Sequence, residues 1–231
     1  MSTPALSRPR SGSRSASGLS EMSRSDALRN RQRVLDAALE AYADEGPRFG
    51  MHDVARRARV GVGTVYRHFA DREQLVDAIA RPFFDQTLLI AHAAQRDAPP
   101  GEQFAVFLRA FAQALADFGV SGHCSWDSPA AQQVRAELRG LVTGFVEEGQ
   151  RLGTIRADLT REDASAILFT TTMLVDETRE HGPGIWRRHV DLMLDGLRPG
   201  PPETLAAPPV DRSAWDAFVR ARSERACDRP R

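Results

Sequence analysis

Between Met51 and Leu75 the sequence ends one helix and starts two more, and that crowding restricts the fold more than any other stretch. Met51 to Ala58 has the spacing of a short helix, with Gly50 as a permissive cap and Asp53 near its positive end. Its Val54 and Ala55 face inward, while Arg56 and Arg57 face out, toward solvent or a phosphate. Arg59-Val60-Gly61 is a tight connection. A third helix runs from Gly61 to Phe69, and Asp71 with Gln74 supplies an N-cap and capping-box partner for a fourth through Leu75, Val76 and Ile79. Two helices joined by so short a turn predict a helix-turn-helix whose small core holds Val54, Val60, Val65 and Phe69.

The third helix begins with small residues, where a helix end can approach another molecule closely, and continues with Thr64, Tyr66, Arg67 and His68. Hydroxyl and imidazole groups fix a register on phosphates, and a guanidinium bridges the acceptors of guanine. Gly61 and Gly63 do not form a nucleotide-binding loop, because no strand precedes them and no third glycine follows. Charge points the same way. The net charge over 231 residues is zero, yet seven arginines oppose Glu21 and Asp26 before Val34, while carboxylates outnumber arginines from Arg81 to Arg198. A basic front on an acidic body predicts a polyanion partner at one end.

The rest of the chain reads as helices. Residues 1–24 are rich in Ser and Arg and poor in apolar side chains, which predicts a disordered arm. A first helix follows from Ser25 to Gly46-Pro47, and residues 25–72 form the helix-turn-helix unit. Pro82 is expected to interrupt and kink the fourth helix. Phe104, Phe107, Leu108, Phe111, Leu115 and Phe118 line one face of the next. Val134 to Phe145 builds another, ended by Gly149 and Gly153, and Thr160 to Asp163 opens one through Val175. The last helix of the 73–198 domain carries Trp186, Val190, Met193, Leu194 and Leu197, and 199–231 is a Pro-rich tail with a short helix from Asp211 to Arg222. No stretch alternates as a strand, so the expected class is all-α.

Two cysteines, Cys124 and Cys227, make neither a disulfide framework nor a metal site, and no apolar run spans a membrane, so a cytoplasmic protein without cofactor or metal is expected. The adjacent His123-Cys124 pair raises the alternative of a small-molecule-handling enzyme using Cys124, but neighbouring residues rarely face each other and no third group orients them. A catalytic site is therefore not expected.

The run Val60-Gly61-Val62-Gly63-Thr64-Val65-Tyr66-Arg67-His68-Phe69, with Val54-Ala55 before it and Asp71-Arg72-Glu73-Gln74-Leu75 after it, resembles the N-terminal domain of the TetR family of transcriptional regulators. The resemblance implies a homodimer that places recognition helices in successive major grooves of a double-stranded DNA operator. It assigns Thr64 to phosphate or a base edge, Tyr66 and His68 to phosphates, Val62, Gly63 and Arg67 to the neighbourhood of bases, and Arg72 to a further phosphate. Gly50 and Met51 stand where the family usually has hydroxyl residues, leaving His52 as a donor there. Arg59 stands where the family usually has glycine, so a left-handed backbone there would carry strain of roughly 1 kcal/mol.

Beyond Arg81 the likeness is in helical length and order. It implies a repressor, or alternatively an activator or a regulator that answers to no ligand; as a repressor its second domain binds a small apolar or aromatic effector, in a pocket drawn from Phe104, Phe107, Phe111, Trp126, Phe145, Phe169 and Met173, with hydroxyls from Thr170, Thr171 and Thr172. It also implies that the last two helices pair with a second copy through Trp186, Val190 and Leu194.

Overall fold

The computed structural model describes residues 16–45, 49–118, 129–179, 182, 184–200, 205 and 207–228, with backbone alone at 16–25, 129–131 and 222–228. Among the described residues there are nine helices and no strands. They are α1 (Ala16–Glu45), α2 (Met51–Ala58), α3 (Val62–His68), α4 (Arg72–Asp97), α5 (Gln103–Phe118), α6 (Pro129–Leu152), α7 (Arg161–Thr178), α8 (Ile185–Gly196) and α9 (Arg212–Asp228).

Helix α1 starts inside the stretch expected to be a disordered arm. No proline lies between Arg10 and Glu45, and a helix already nucleated downstream propagates upstream at little cost through Ala16, Leu19, Glu21 and Met22. The expectation for residues 1–15 lies outside the described residues. Helix α9 likewise runs past Arg222, to Asp228.

Pro82 does not interrupt α4, which runs unbroken for 26 residues. Proline lacks only one donor, and packing on both sides of it, through Ile79 and Ala80 before and Phe83 and Phe84 after, holds the helix together. The first of these groups packs toward the small N-terminal unit, where α4 meets α1; later turns meet α5 and α6. One continuous cluster of buried side chains runs from Val34 through Val65, Leu75 and Phe107 to Leu194.

In the second domain α4 packs on α5 and α6, α5 on α6, α7 and α8, and α7 on α6 and α8. Its centre is aromatic. Phe107 stacks on Phe111 at 5.7 Å and meets Phe145 at 6.0 Å, while Phe83 lies 6.2 Å from Phe111 and 5.7 Å from Phe118. The local signals in the sequence hold at α7, where Thr160 Oγ1 accepts from the Asp163 amide at 3.1 Å and Asp163 Oδ2 accepts from the Thr160 amide at 2.9 Å. Arg179 donates to the carbonyls of Ala116 at 2.9 Å and Leu115 at 3.2 Å. There it satisfies orphan groups at the C-terminus of α5.

Candidate nucleic-acid interface

A helix of seven residues is too short to stand alone, so α3 is held by its neighbours. Val65 and Phe69 anchor it from below, fully buried or nearly so, and Arg31 of α1 stacks its guanidinium 5.1 Å from the centre of the Phe69 ring. The turn before it is fixed by Arg59, which has φ 54° and ψ 45°, the left-handed conformation that carries strain in a residue other than glycine. The Val60 amide then reaches the Ala55 carbonyl at 3.0 Å. Arg33 of α1 closes the same turn, donating to the carbonyls of Ala58 at 2.6 Å and Arg59 at 3.3 Å.

Arg57 settles between its two sequence readings in favour of neither. It donates to Asp53 Oδ2 at 2.6 Å, Asp44 Oδ2 at 2.6 Å and Glu45 Oε1 at 2.8 Å, tying the end of α1 to α2. Its own pKa is raised, first by the hydrogen bond to Asp44 and then by that to Asp53. Asp53 is held below the usual carboxylate range, first by the bond from Arg57 and then by that from Arg56. At the start of α4 the Gln74 amide donates to Asp71 Oδ1 at 2.8 Å, as the capping signal predicts, but the Gln74 side chain accepts from Ala70 at 3.2 Å, one residue before the cap.

With α3 fixed in this way, Gly63, Tyr66 and Arg67 are exposed on its outer side. A side-chain carbon built on Gly63 would meet nothing within 4 Å, and its backbone does not need glycine's left-handed freedom. Nothing inside the protein therefore asks for a glycine there. Thr64 is half-buried, with its amide bonded to the Gly61 carbonyl at 2.8 Å. His52, at the start of α2, and Arg72, at the start of α4, are exposed in the same N-terminal unit.

Two predicted contacts are changed by the geometry. Val62 is half-buried against the core, so it contributes to packing as well as to the outer face. His68 turns inward: its Nε2 is buried with no hydrogen-bond partner and its ring lies 6.5 Å from that of Phe69. Only its other edge is left for a phosphate.

Most of the residues expected in the pocket and at the dimer face lie in the second domain's core. Phe104, Phe107, Phe111 and Phe145 are buried in the second domain's core, the last three ring against ring. A cleft of about 260 Å³ opens beside them instead, lined by Gln95, Gln103, Gly140, Leu141, Gly144, Phe145 and Glu148. Of the predicted pocket residues, Phe145 reaches it. The glycine pair four residues apart on α6 is the signal that could have found it, because it leaves a groove on one helix face. Phe169 faces α9, 6.2 Å from Trp215 and 5.3 Å from Phe218, and Met173 is half-buried on α7. Thr171 Oγ1 is buried without a partner, whereas Thr170 and Thr172 bond back to their own helix. Trp126, His123 and Cys124 lie outside the described residues.

Trp186, Val190 and Leu194 are buried within a single chain, where α8 packs on α5 and α7. Charging Val190 would disrupt this core before it touched any interface. Among the described residues no group of His, Cys, Asp or Glu is placed to hold a metal ion, and no helix is long and apolar enough to cross a membrane.

Residues 34–79 match the family model described as bacterial regulatory proteins, tetR family, and residues 99–199 match that of the SbtR-like transcriptional regulator C-terminal domain. A curated relative, the HTH-type transcriptional regulator SAB2452 of Staphylococcus aureus, is 40% identical over 53 residues. That alignment covers 22% of this chain and 29% of the relative, so the match spans less than a third of the relative's length. A TetR transcription regulatory protein of Mycobacterium vanbaalenii is 32% identical, over 76% of this chain and 99% of that one, with a TM-score of 0.44. The TetR-family regulator PfmR of Thermus thermophilus has a TM-score of 0.60 at 20% identity, over 72% of this chain and all of that one, a likeness of fold. With its helix-turn-helix and its second domain each matched by a model of the same family, the chain belongs to the TetR family of transcriptional regulators.

Proposed function

We propose that the protein is a homodimeric, cytoplasmic repressor that binds an operator in double-stranded DNA through α3 and leaves it when a small effector occupies the second domain. The observation that carries the DNA-binding part is the open side of Gly63, flanked by exposed Tyr66 and Arg67 on a helix whose opposite side is pinned by Val65 and Phe69. A backbone that can be approached this closely, beside a phenol and a guanidinium, suits a groove wall and a guanine edge. Arg67 is the main candidate for direct hydrogen bonds to bases, so much of the specificity falls to the spacing of two copies and the shape of the duplex.

The effector reading draws on the cleft at α6. Leu141 and Phe145 give it an apolar floor, and Gln95, Gln103 and Glu148 a polar edge. That composition suits a flat, mainly apolar molecule with one polar end. Coupling to DNA runs through α4, which packs on the N-terminal unit and also carries Gln95. A coupling free energy of about 1–3 kcal/mol suffices.

The test is a mobility-shift titration on the DNA upstream of the protein's own gene, repeated across salt concentrations. Specific retention that falls steeply with salt, and that Arg67→Ala weakens by about tenfold or more, supports the reading. Retention equal on unrelated DNA, with Arg67→Ala unchanged, sinks it.

A further inference from the structure

Arg31 and Arg33 belong to the basic front of the sequence, and both are exposed on α1 beside the helix-turn-helix. Each nevertheless has a partner in this chain. Arg33 Nη2 donates to the carbonyl of Ala58, the last residue of α2, at 2.6 Å and to that of Arg59 at 3.3 Å. Arg31 sets its guanidinium 5.1 Å from the centre of the ring of Phe69, the residue that caps the end of α3. Two side chains of α1 therefore grip the entry and the exit of the seven-residue α3.

The entry is the strained end. Among the described residues Arg59 alone, glycines aside, has a positive φ, and a side chain makes that conformation costly. Backbone bonds hold part of the turn, with the Arg59 and Val60 amides donating to the carbonyls of Arg56 at 3.2 Å and Ala55 at 3.0 Å. The carbonyls of Ala58 and Arg59 lie past the last turn of α2, where the helix itself supplies no donor. Arg33 supplies one from 25 residues earlier in the chain, and its positive charge suits the negative end of the helix dipole.

We propose that Arg33 is a positioning residue for DNA binding. It holds the strained Arg59 turn closed, and through that turn the angle at which Gly63, Tyr66 and Arg67 meet the duplex, without itself neutralising a phosphate. The proposal rests on the reading of α3 as the helix that meets DNA. Part of the basic front therefore works inside the helix-turn-helix unit, and the salt dependence of binding comes from other side chains.

The experiment is a double-substitution cycle on the full-length chain, with affinity for the DNA upstream of its own gene measured across salt concentrations. Arg33→Lys keeps the charge but loses the planar guanidinium, and should weaken binding by about threefold to tenfold; Arg33→Ala should weaken it by about tenfold or more. In both, the slope of log affinity against log salt should stay that of the parent, because no phosphate contact is lost. Adding Arg59→Gly, which takes the left-handed turn without strain, should recover most of the loss in either background. If Arg33→Ala does not fold, the lysine variant decides alone. Lysine that binds like the parent, or an alanine variant whose slope falls by about one, makes Arg33 a phosphate contact and overturns the proposal. Unchanged affinity in Arg33→Ala, or a loss that Arg59→Gly leaves in place, overturns the role of the turn. A parent that binds no DNA overturns the DNA-binding reading itself.

Discussion

Around α2 and α3 the core is small, closed by Val34, Val54, Val65 and Leu75 with the rings of Tyr42, Phe49 and Phe69, and charged side chains there hold helices to one another. Around α5 and α6 it is aromatic, with Phe83, Phe107, Phe111, Phe118 and Phe145 in a chain of ring contacts. The contrast teaches how each region divides its work. A seven-residue helix buries too little to fix itself, so Arg33, Arg57 and Arg31 supply directional ties that set its angle. The second domain relies more on ring contacts, with Arg179 tying α7 to the end of α5, and has a cleft at its edge.

The largest break in this comparison comes from the aromatic side. Phe107→Ala removes a fully buried ring that contacts two others and should cost about 3–5 kcal/mol of unfolding free energy, read by chemical denaturation. A cost under about 1 kcal/mol would mean that the rings are loosely packed. Next comes Gly63→Ala, which separates stability from binding. The fold should gain up to about 1 kcal/mol, since the added methyl meets nothing and alanine favours helix, while operator affinity drops by about tenfold or more. Unchanged affinity would remove the close approach of α3 to DNA.

Arg59→Gly should stabilise the protein by roughly 0.5–1 kcal/mol, because glycine takes the left-handed turn without strain while losing more freedom on folding. Destabilisation would show that the Arg59 side chain contributes contacts beyond its backbone. The smallest effect is in the acid limb of stability. Asp53 has a depressed pKa in the folded state, so its tie is fully present above the ordinary carboxylate range, near pH 4, and is lost as pH falls through the lower folded value. Arg57→Ala should flatten that limb in a denaturation series from about pH 5 downward; an unaltered slope would mean the carboxylate's partners in solution are others.

What the sequence makes legible follows the range of each interaction. The limits of α2, those of α3 to within one residue at each end, and the Asp71 and Thr160 caps depend on neighbours within about four residues, and these are as expected. Arg57 is ambiguous in sequence because its partners Asp44 and Glu45 lie across a chain reversal. The stripe of Trp186, Val190 and Leu194 announces a buried face but not what buries it, and α5 and α7 of the same chain do so. Phe169 meets α9, a neighbour far along the sequence and reached through a Pro-rich segment. Along α1 the composition favours a solvated arm, while the absence of proline after Arg10 lets the helix continue to Ala16.

The unbroken passage of α4 through Pro82 has a thermodynamic side. Its first turns complete the helix-turn-helix core with Leu75, Val76 and Ile79, and its later turns enter the aromatic core with Phe83, Phe84 and Ala91, all within one cluster. Neither domain can melt without exposing the apolar face of a helix that the other still needs. The N-terminal unit and the helices beyond it are therefore expected to unfold together, as one transition in chemical denaturation.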